Sequence, residues 1–292
     1  MNQITDIVRR SIDMHVHIGP EIIPRRYTAQ TLLAEESGNL AGAVLKNHFY
    51  PTVPFAVSNA QMNEYGAIVL NWSVGGLNPE AVRAMSLISP GKFVVWLPTI
   101  HAANFLEQSE FEIAPEWCSG VDMQPRLASE VAGIRVTDDA GVLSLEATAV
   151  VDAIAEAGAV LATGHVSVEE TVAVARYARK KSVPVVLTHP IYQRINMPVD
   201  TQQELASLGC YIEVCYSMYS IDGIALDRLA EQIQSIGPEQ VILSSDVGQM
   251  KSVSPSEALV DFATLLVNRG IPVKWIEKML VDNPKKLLEG KR

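Results

Sequence analysis

The chain has 292 residues, 48% of them hydrophobic and only 19% charged, which is ample for a large core and excludes a disordered polymer. Its 23 Lys and Arg are outnumbered by 33 Asp and Glu, for a net charge of −10. That balance offers no basic stripe to nucleic acid and none to an anionic membrane surface. Three cysteines make no disulfide framework, and no apolar run reaches the ~18 residues of a spanning helix. The first ten residues carry Asp6, Arg9 and Arg10 with no apolar stretch behind them, so a cytoplasmic protein is expected.

Short β-branched runs alternate with longer apolar-periodic stretches. Strands are predicted over 12–17, 43–47, 67–72, 93–98, 160–163, 183–188, 211–215 and 241–244. Thr28, Asp200 and Ser254 read as helix N-caps, and Pro54 and Pro79 sit at first-turn positions. Gly66, Gly158, Gly209, Gly237 and Gly270 stand where helices should stop. The spacing is regular except between the fourth and fifth strands, where residues 110–141 read as an insertion with a Val-rich piece over 133–136 and a turn at Asp138, Asp139 and Gly141. Eight strand–helix units with one decorated loop make an α/β fold of the (β/α)8 TIM-barrel type, a single domain over 1–292. A doubly wound open sheet is the alternative, but neither a Gly-x-Gly-x-x-Gly nor a phosphate-loop Lys supports its usual nucleotide role.

The six histidines follow strand ends. His15 and His17 close the first strand, His48 follows the second, His101 the fourth, His165 the fifth and His189 the sixth. In a barrel those ends form the catalytic face. Side chains two apart on a strand share a face, so His15 and His17 can converge on one ion. His165, His189 and Asp246, each just past an apolar run, extend the set to imidazoles plus a carboxylate, which suits a catalytic zinc-type site with an open position for water.

This order of residues resembles the amidohydrolase superfamily of metal-dependent barrel hydrolases. The ending Asn283-Pro284-Lys285-Lys286-Leu287 is similar to one common in that superfamily. Gly19-Pro20, Lys46-Asn47-His48, Gly75-Gly76-Leu77-Asn78-Pro79 and Thr163-Gly164-His165 resemble an uncharacterised branch of it. The resemblance implies one or two divalent ions (zinc or manganese) held by His15, His17, His165, His189 and Asp246. It also implies hydrolysis of an amide, cyclic amide, lactone or related ester, with Asp246 moving the proton and His189 as ligand or oxyanion donor. The superfamily's usual bridging Lys or acid is missing after the fourth strand, which reads Trp96-Leu97-Pro98-Thr99.

Lys46 shares a face with His48 and has three readings: a carbamylated metal bridge, a cationic substrate anchor, or a solvated surface lysine. His48, His101 and Arg25 are candidates for binding a small-molecule substrate; Arg25 and Arg26 could pair with a carboxylate or simply be solvated. Glu213, an acid inside a strand, either meets an inward cation or faces a helix. Gly75-Gly76 marks a close backbone approach or a plain turn, and Cys210 and Cys215 read as packing. Two rival functions stay open, a mononuclear metal-dependent decarboxylase and a non-catalytic metal- or ligand-binding barrel. A homo-oligomer is also compatible with the sequence.

Overall fold

The computed structural model describes residues 3–57, 61–118 and 126–289. Among the described residues nine strands carry the architecture: β1 (Ile12–His17), β2 (Gly42–Lys46), β3 (Asn63–Tyr65), β4 (Ala67–Val69), β5 (Val94–Trp96), β6 (Val160–Ala162), β7 (Val185–Leu187), β8 (Tyr211–Cys215) and β9 (Val241–Ser244). All neighbouring pairs are parallel, in the orders β1-β2-β3 and β4-β5-β6-β7-β8-β9. β3 and β4 are one strand bent at Gly66, whose first half pairs with β2 and whose second half pairs with β5. The bend has a steric cause: a Cβ on Gly66 would lie 2.3 Å from Val53 Cα. Gly66 is therefore a strand break, not the helix stop expected of it.

Two seams complete the ring. Thr52 spans the first, donating from Oγ1 to Leu45 O of β2 (2.6 Å) and accepting from Ala67 N of β4 (2.8 Å). At the second, β1 meets the chain leaving β9: Val16 bridges Val247, and His17 N donates to Val247 O at 2.8 Å. The result is the (β/α)8 barrel, with helices on the outside as the alternating pattern requires. Ile12, Val44, Val94, Val160, Val186 and Ile242 pack inside it, and Leu287 and Leu288 close its lower end. Asn283 holds that closing helix in place, donating to Pro238 O (2.8 Å) and Val241 O (2.7 Å).

The helix signals mostly hold. Thr28 and Ser254 form capping boxes, Asn78 caps the helix that Pro79 opens, and the helices Leu145–Ala157 and Leu226–Ile236 end at Gly158 and Gly237. Asp200 is not a cap: the helix starts at Val199 behind Pro198, which leaves Asp200 in the first turn. Pro54 opens only the 3-10 turn Val53–Phe55. The insertion lies between β5 and β6 as expected and is held by short bridges, Phe111 to Leu127, Ala102 to Ile134 and Thr137 to Leu143. Its residues 119–125 fall outside the described residues. Among the described residues no helix is long and apolar enough to cross a membrane.

The bend at Gly66 yields a direct test. Gly66→Ala forces a methyl into the Val53 backbone and should cost about 2–4 kcal/mol of unfolding free energy. Gly91→Ala, which meets nothing within 4 Å, should change it by less than about 1 kcal/mol in the same urea titration.

Candidate metal centre

A register shift in β1, between Asp13 and Val16, creates the site. Ile12 and Met14 face the barrel interior, so strict alternation would send His15 and His17 outward. The shift inverts the alternation. Val16 turns out to pack with Leu32 and Leu45, and both imidazoles turn in. A bulge that re-aims side chains beside a functional site is a recurrent device of sheets. Asp13 pins it: its Oδ1 accepts from His15 N (3.2 Å) and Ser245 N (3.0 Å). Burial raises the Asp13 carboxyl to about 7, against the pull of those hydrogen bonds.

The same seam delivers Asp246. Its N–H donates to His15 O at 2.9 Å, and its backbone is held at φ +52°, a conformation that L side chains rarely adopt. Its Oδ1 then lies 3.1 Å from His15 Nε2 and 3.0 Å from His17 Nε2. Ser217 Oγ donates to the other oxygen, Oδ2, at 2.7 Å. One carboxylate oxygen and two imidazole nitrogens thus converge within 4.8 Å of one another, a spacing that can hold a metal ion. Behind them Glu213 Oε1 sits 3.1 Å from His15 Nδ1. A carboxylate there fixes the proton on Nδ1 and leaves Nε2 free as a ligand. Glu213 therefore faces inward, toward an imidazole. Cys215, expected to be packing, belongs to the same cluster as His15 and Glu213, although burial keeps its thiol well above the ordinary range.

Lys46 is 1% exposed, which removes the solvated reading. Its Nζ lies 2.8 Å from His15 Nε2 and 5.2 Å from the centre of the Trp96 ring. Burial lowers its pKa, opposed by Asp246 and Glu213. Trp96, at the end of the fourth barrel strand, β5, walls the cluster with its ring 5.4 Å from that of His15.

A cavity of about 510 Å³ opens above this cluster, lined by His17, Arg25, Lys46, His48, His165, His189 and Asp246 among others. The rings of His165 and His189 are tilted at 44° with centres 5.2 Å apart, and His189 stacks on His15 at 5.9 Å. Burial lowers His17, His48 and His165 well below the usual imidazole value and His189 to about 4, so all four are neutral at physiological pH. The buried Nδ1 atoms of His17, His165 and His189 have no hydrogen-bond partner among the described residues. Burial alone would raise Asp246, but His15 and His17 hold it well below the carboxylate range. Neutral imidazoles around an ionised carboxylate are the donor set a divalent cation requires.

Two expectations part from the structure. His101 does not line the cavity: its Nε2 meets Glu112 Oε1 at 2.7 Å, and its Nδ1 accepts from Trp72 N at 3.3 Å. It anchors the insertion, whose Glu112 is held in turn by Arg126. The paired arginines separate, with Arg26 outward on Glu35 and Ser252 O and Arg25 inward on Glu21. Glu213, Ser217, Trp96 and Asp13 emerge as parts of the site that spacing could not rank; an acid inside an apolar strand was the signal for Glu213 and Asp13, while Ser217, in the helix Tyr216–Ser220, and Trp96 gave none.

Asp13 can be tested through stability. Asp13→Ala removes the acceptor for two buried N–H groups and should cost about 2–4 kcal/mol in urea unfolding. Asp13→Asn keeps that acceptor and should stay within about 1 kcal/mol of the wild type.

Known proteins share the family and the fold. The model for a family of unknown function (DUF6282) matches residues 10–213, and no curated protein matches the sequence. An amidohydrolase from Pseudomonas aeruginosa superposes with a TM-score of 0.64 at 11% identity, covering 97% of each chain. The probable dipeptidase PvdM from Pseudomonas aeruginosa gives 0.63 at 12% identity, covering 97% of this chain and 96% of that one. A TatD homologue from Escherichia coli gives 0.56 at 11%, covering 97% and 100%. The chain belongs to the DUF6282 family and has the barrel fold of the amidohydrolase superfamily.

Proposed function

We propose that this protein is a metal-dependent hydrolase of amide, cyclic amide, lactone or related ester bonds. The observation that carries the proposal is the convergence of His15 Nε2, His17 Nε2 and Asp246 Oδ1 at the floor of a cavity, with Glu213 oriented behind His15. Those three residues would hold one divalent ion, zinc or manganese, with His165 and His189 placed to complete its shell or to hold a second. The bound ion would polarise the scissile carbonyl and make water acidic enough to ionise near pH 7.

The chain's own groups supply the rest. Asp246, kept ionised by its histidines and oriented by Ser217, takes the proton of the attacking water and passes it to the leaving group. His189, neutral and with an unpaired Nδ1, is placed to stabilise developing charge on the substrate oxygen. His48, its Nδ1 2.9 Å from Thr99 Oγ1, presents its ring to the cavity beside His17 and orients the substrate. The fourth barrel strand ends in Trp96, its ring 5.4 Å from His15, and not in the bridging Lys or acid that the resemblance implies, and this keeps a mononuclear decarboxylase as the second reading.

The first test is metal content. Purified protein should carry about one or two divalent ions, and His17→Ala should lose most of them by elemental analysis; unchanged content would defeat the assignment. Chelation should abolish turnover on a panel of amides, lactones and esters. Hydrolysis should place labelled water oxygen in the product, whereas release of carbon dioxide without label would select the decarboxylase.

Lys46 gives the second test. If it is a carbamylated bridge, Lys46→Ala should lower the metal count from two to one, and added short carboxylates should partly restore activity. If it is a substrate anchor, the metal stays and KM rises more than kcat falls. A variant unchanged in both would remove Lys46 from the site.

A further inference from the structure

We infer that Arg25 makes the cavity selective for substrates carrying a carboxylate on an apolar or aromatic body. This names a substrate class for the proposed hydrolase and rests on that proposal for the reaction, though not for the binding.

Arg25 is a buried cation aimed at open space. Its side chain is 4% exposed, yet it lines the cavity with His17, Lys46 and Asp246. Nε donates to Glu21 Oε1, while the Nη nitrogens make no hydrogen bond among the described residues. Glu21 cannot swing to meet them. Its side chain is fully buried, and its second oxygen accepts from His48 N at 3.0 Å. A guanidinium pinned at Nε, with its two outer nitrogens free, is half of a fork-to-fork carboxylate pair.

The position is also rigid relative to the reacting groups. Arg25 bridges Gln249 in antiparallel register, and Arg26 N donates to Gly248 O at 2.8 Å. Gly248, at φ +132°, passes so close to β1 that a Cβ on it would lie 2.1 Å from His17 O. The loop bearing Arg25 is thus stitched to the segment leaving Asp246, and both rest on His17. Such pre-organisation lowers the entropic cost of ordering a bound anion.

The remaining walls define the body of the substrate. Ile23, Phe105, Trp117, Tyr192, Met218 and Ile221 present apolar and aromatic surface. Lys46 and Lys251 add cations against Asp222 and Asp246, and a bound divalent ion would make the space more positive still. A single planar guanidinium, already partly neutralised by Glu21, suits a planar monoanion better than a dianionic phosphate.

The test is binding, in chelator-treated protein so that no metal attracts the anion. Naphthaleneacetate and its neutral isostere naphthaleneacetamide are titrated by calorimetry into the wild type, Arg25→Met and Arg25→Lys. The acid should bind the wild type about tenfold or more tighter than the amide, as expected for one charge-assisted pair. Arg25→Met should erase the preference, and Arg25→Lys should keep only part of it. Should Arg25→Met not fold by circular dichroism, Arg25→Lys decides, because it keeps the charge and loses the fork. Equal binding of acid and amide, binding of neither at millimolar concentration, a preference that survives Arg25→Met intact, or tighter binding of naphthyl phosphate would overturn the inference. Selective acid binding with no turnover on any panel substrate would sink the hydrolase and leave this selectivity standing. Equal turnover of neutral and carboxylate-bearing substrates would do the reverse.

Discussion

The seam where β1 meets the chain leaving β9 is the constraint on which the rest of the molecule depends. Asp13 Oδ1 accepts from the backbones of both His15 and Ser245, and His15 O accepts from Asp246 N. Together with His17 N to Val247 O, these bonds close the barrel, hold the bulge that turns His15 and His17 inward, and place Asp246 against them. Closure and site assembly are one event. A barrel slipped by one residue at this seam would return both imidazoles to the outer layer, where Val16 now packs.

Bringing so much polarity into an interior is expensive. An uncompensated buried charge costs several kcal/mol, yet Lys46, Glu213 and Asp246 lie together with five buried histidines. The structure offsets this cost by mutual arrangement. Glu213 and Asp246 flank His15, Lys46 Nζ meets His15 Nε2 on the same side, and the histidines that lack an acid stay neutral. What is not offset, the orphaned Nδ1 atoms and the left-handed backbone of His189 (φ +26°) and Asp246 (φ +52°), sits at the cavity. Orphaned atoms occur elsewhere too, on Glu64 and Tyr211 for example, but at the cavity they coincide with left-handed backbone at two polar residues, a combination typical of binding sites.

The loops divide the labour around that site. The first, carrying Glu21 and Arg25, is bonded to the segment after β9 and forms one wall. The insertion after β5 forms another through Trp117, and His101 anchors it from beneath through Glu112. A histidine that by position alone resembled a cavity residue thus serves as a fastener. The difference is one of direction: its two ring nitrogens are spent on Trp72 N and Glu112, leaving nothing for a ligand.

Much was legible in the sequence because it depends on local rules. Strand and helix periodicities, capping boxes at Thr28 and Ser254, and histidines placed after apolar runs follow from φ/ψ preference and backbone hydrogen bonding within a few residues. From these came the barrel, its decorated loop, the shared face of His15 and His17, and the convergence of His165, His189 and Asp246 at one end. The sequence did not reveal which face that was. Alternation from Ile12 points the two histidines outward, and only the bulge, held by an acceptor reaching across to Ser245, reverses it. The strand bend at Gly66, the burial of Lys46, the pairing of Glu213 with His15, the separate fates of Arg25 and Arg26, and the diversion of His101 are likewise set by partners far away in the chain. Local chemistry determined which residues could serve; tertiary contact, through sterics and the demand that buried polar groups find partners, decided which of them do.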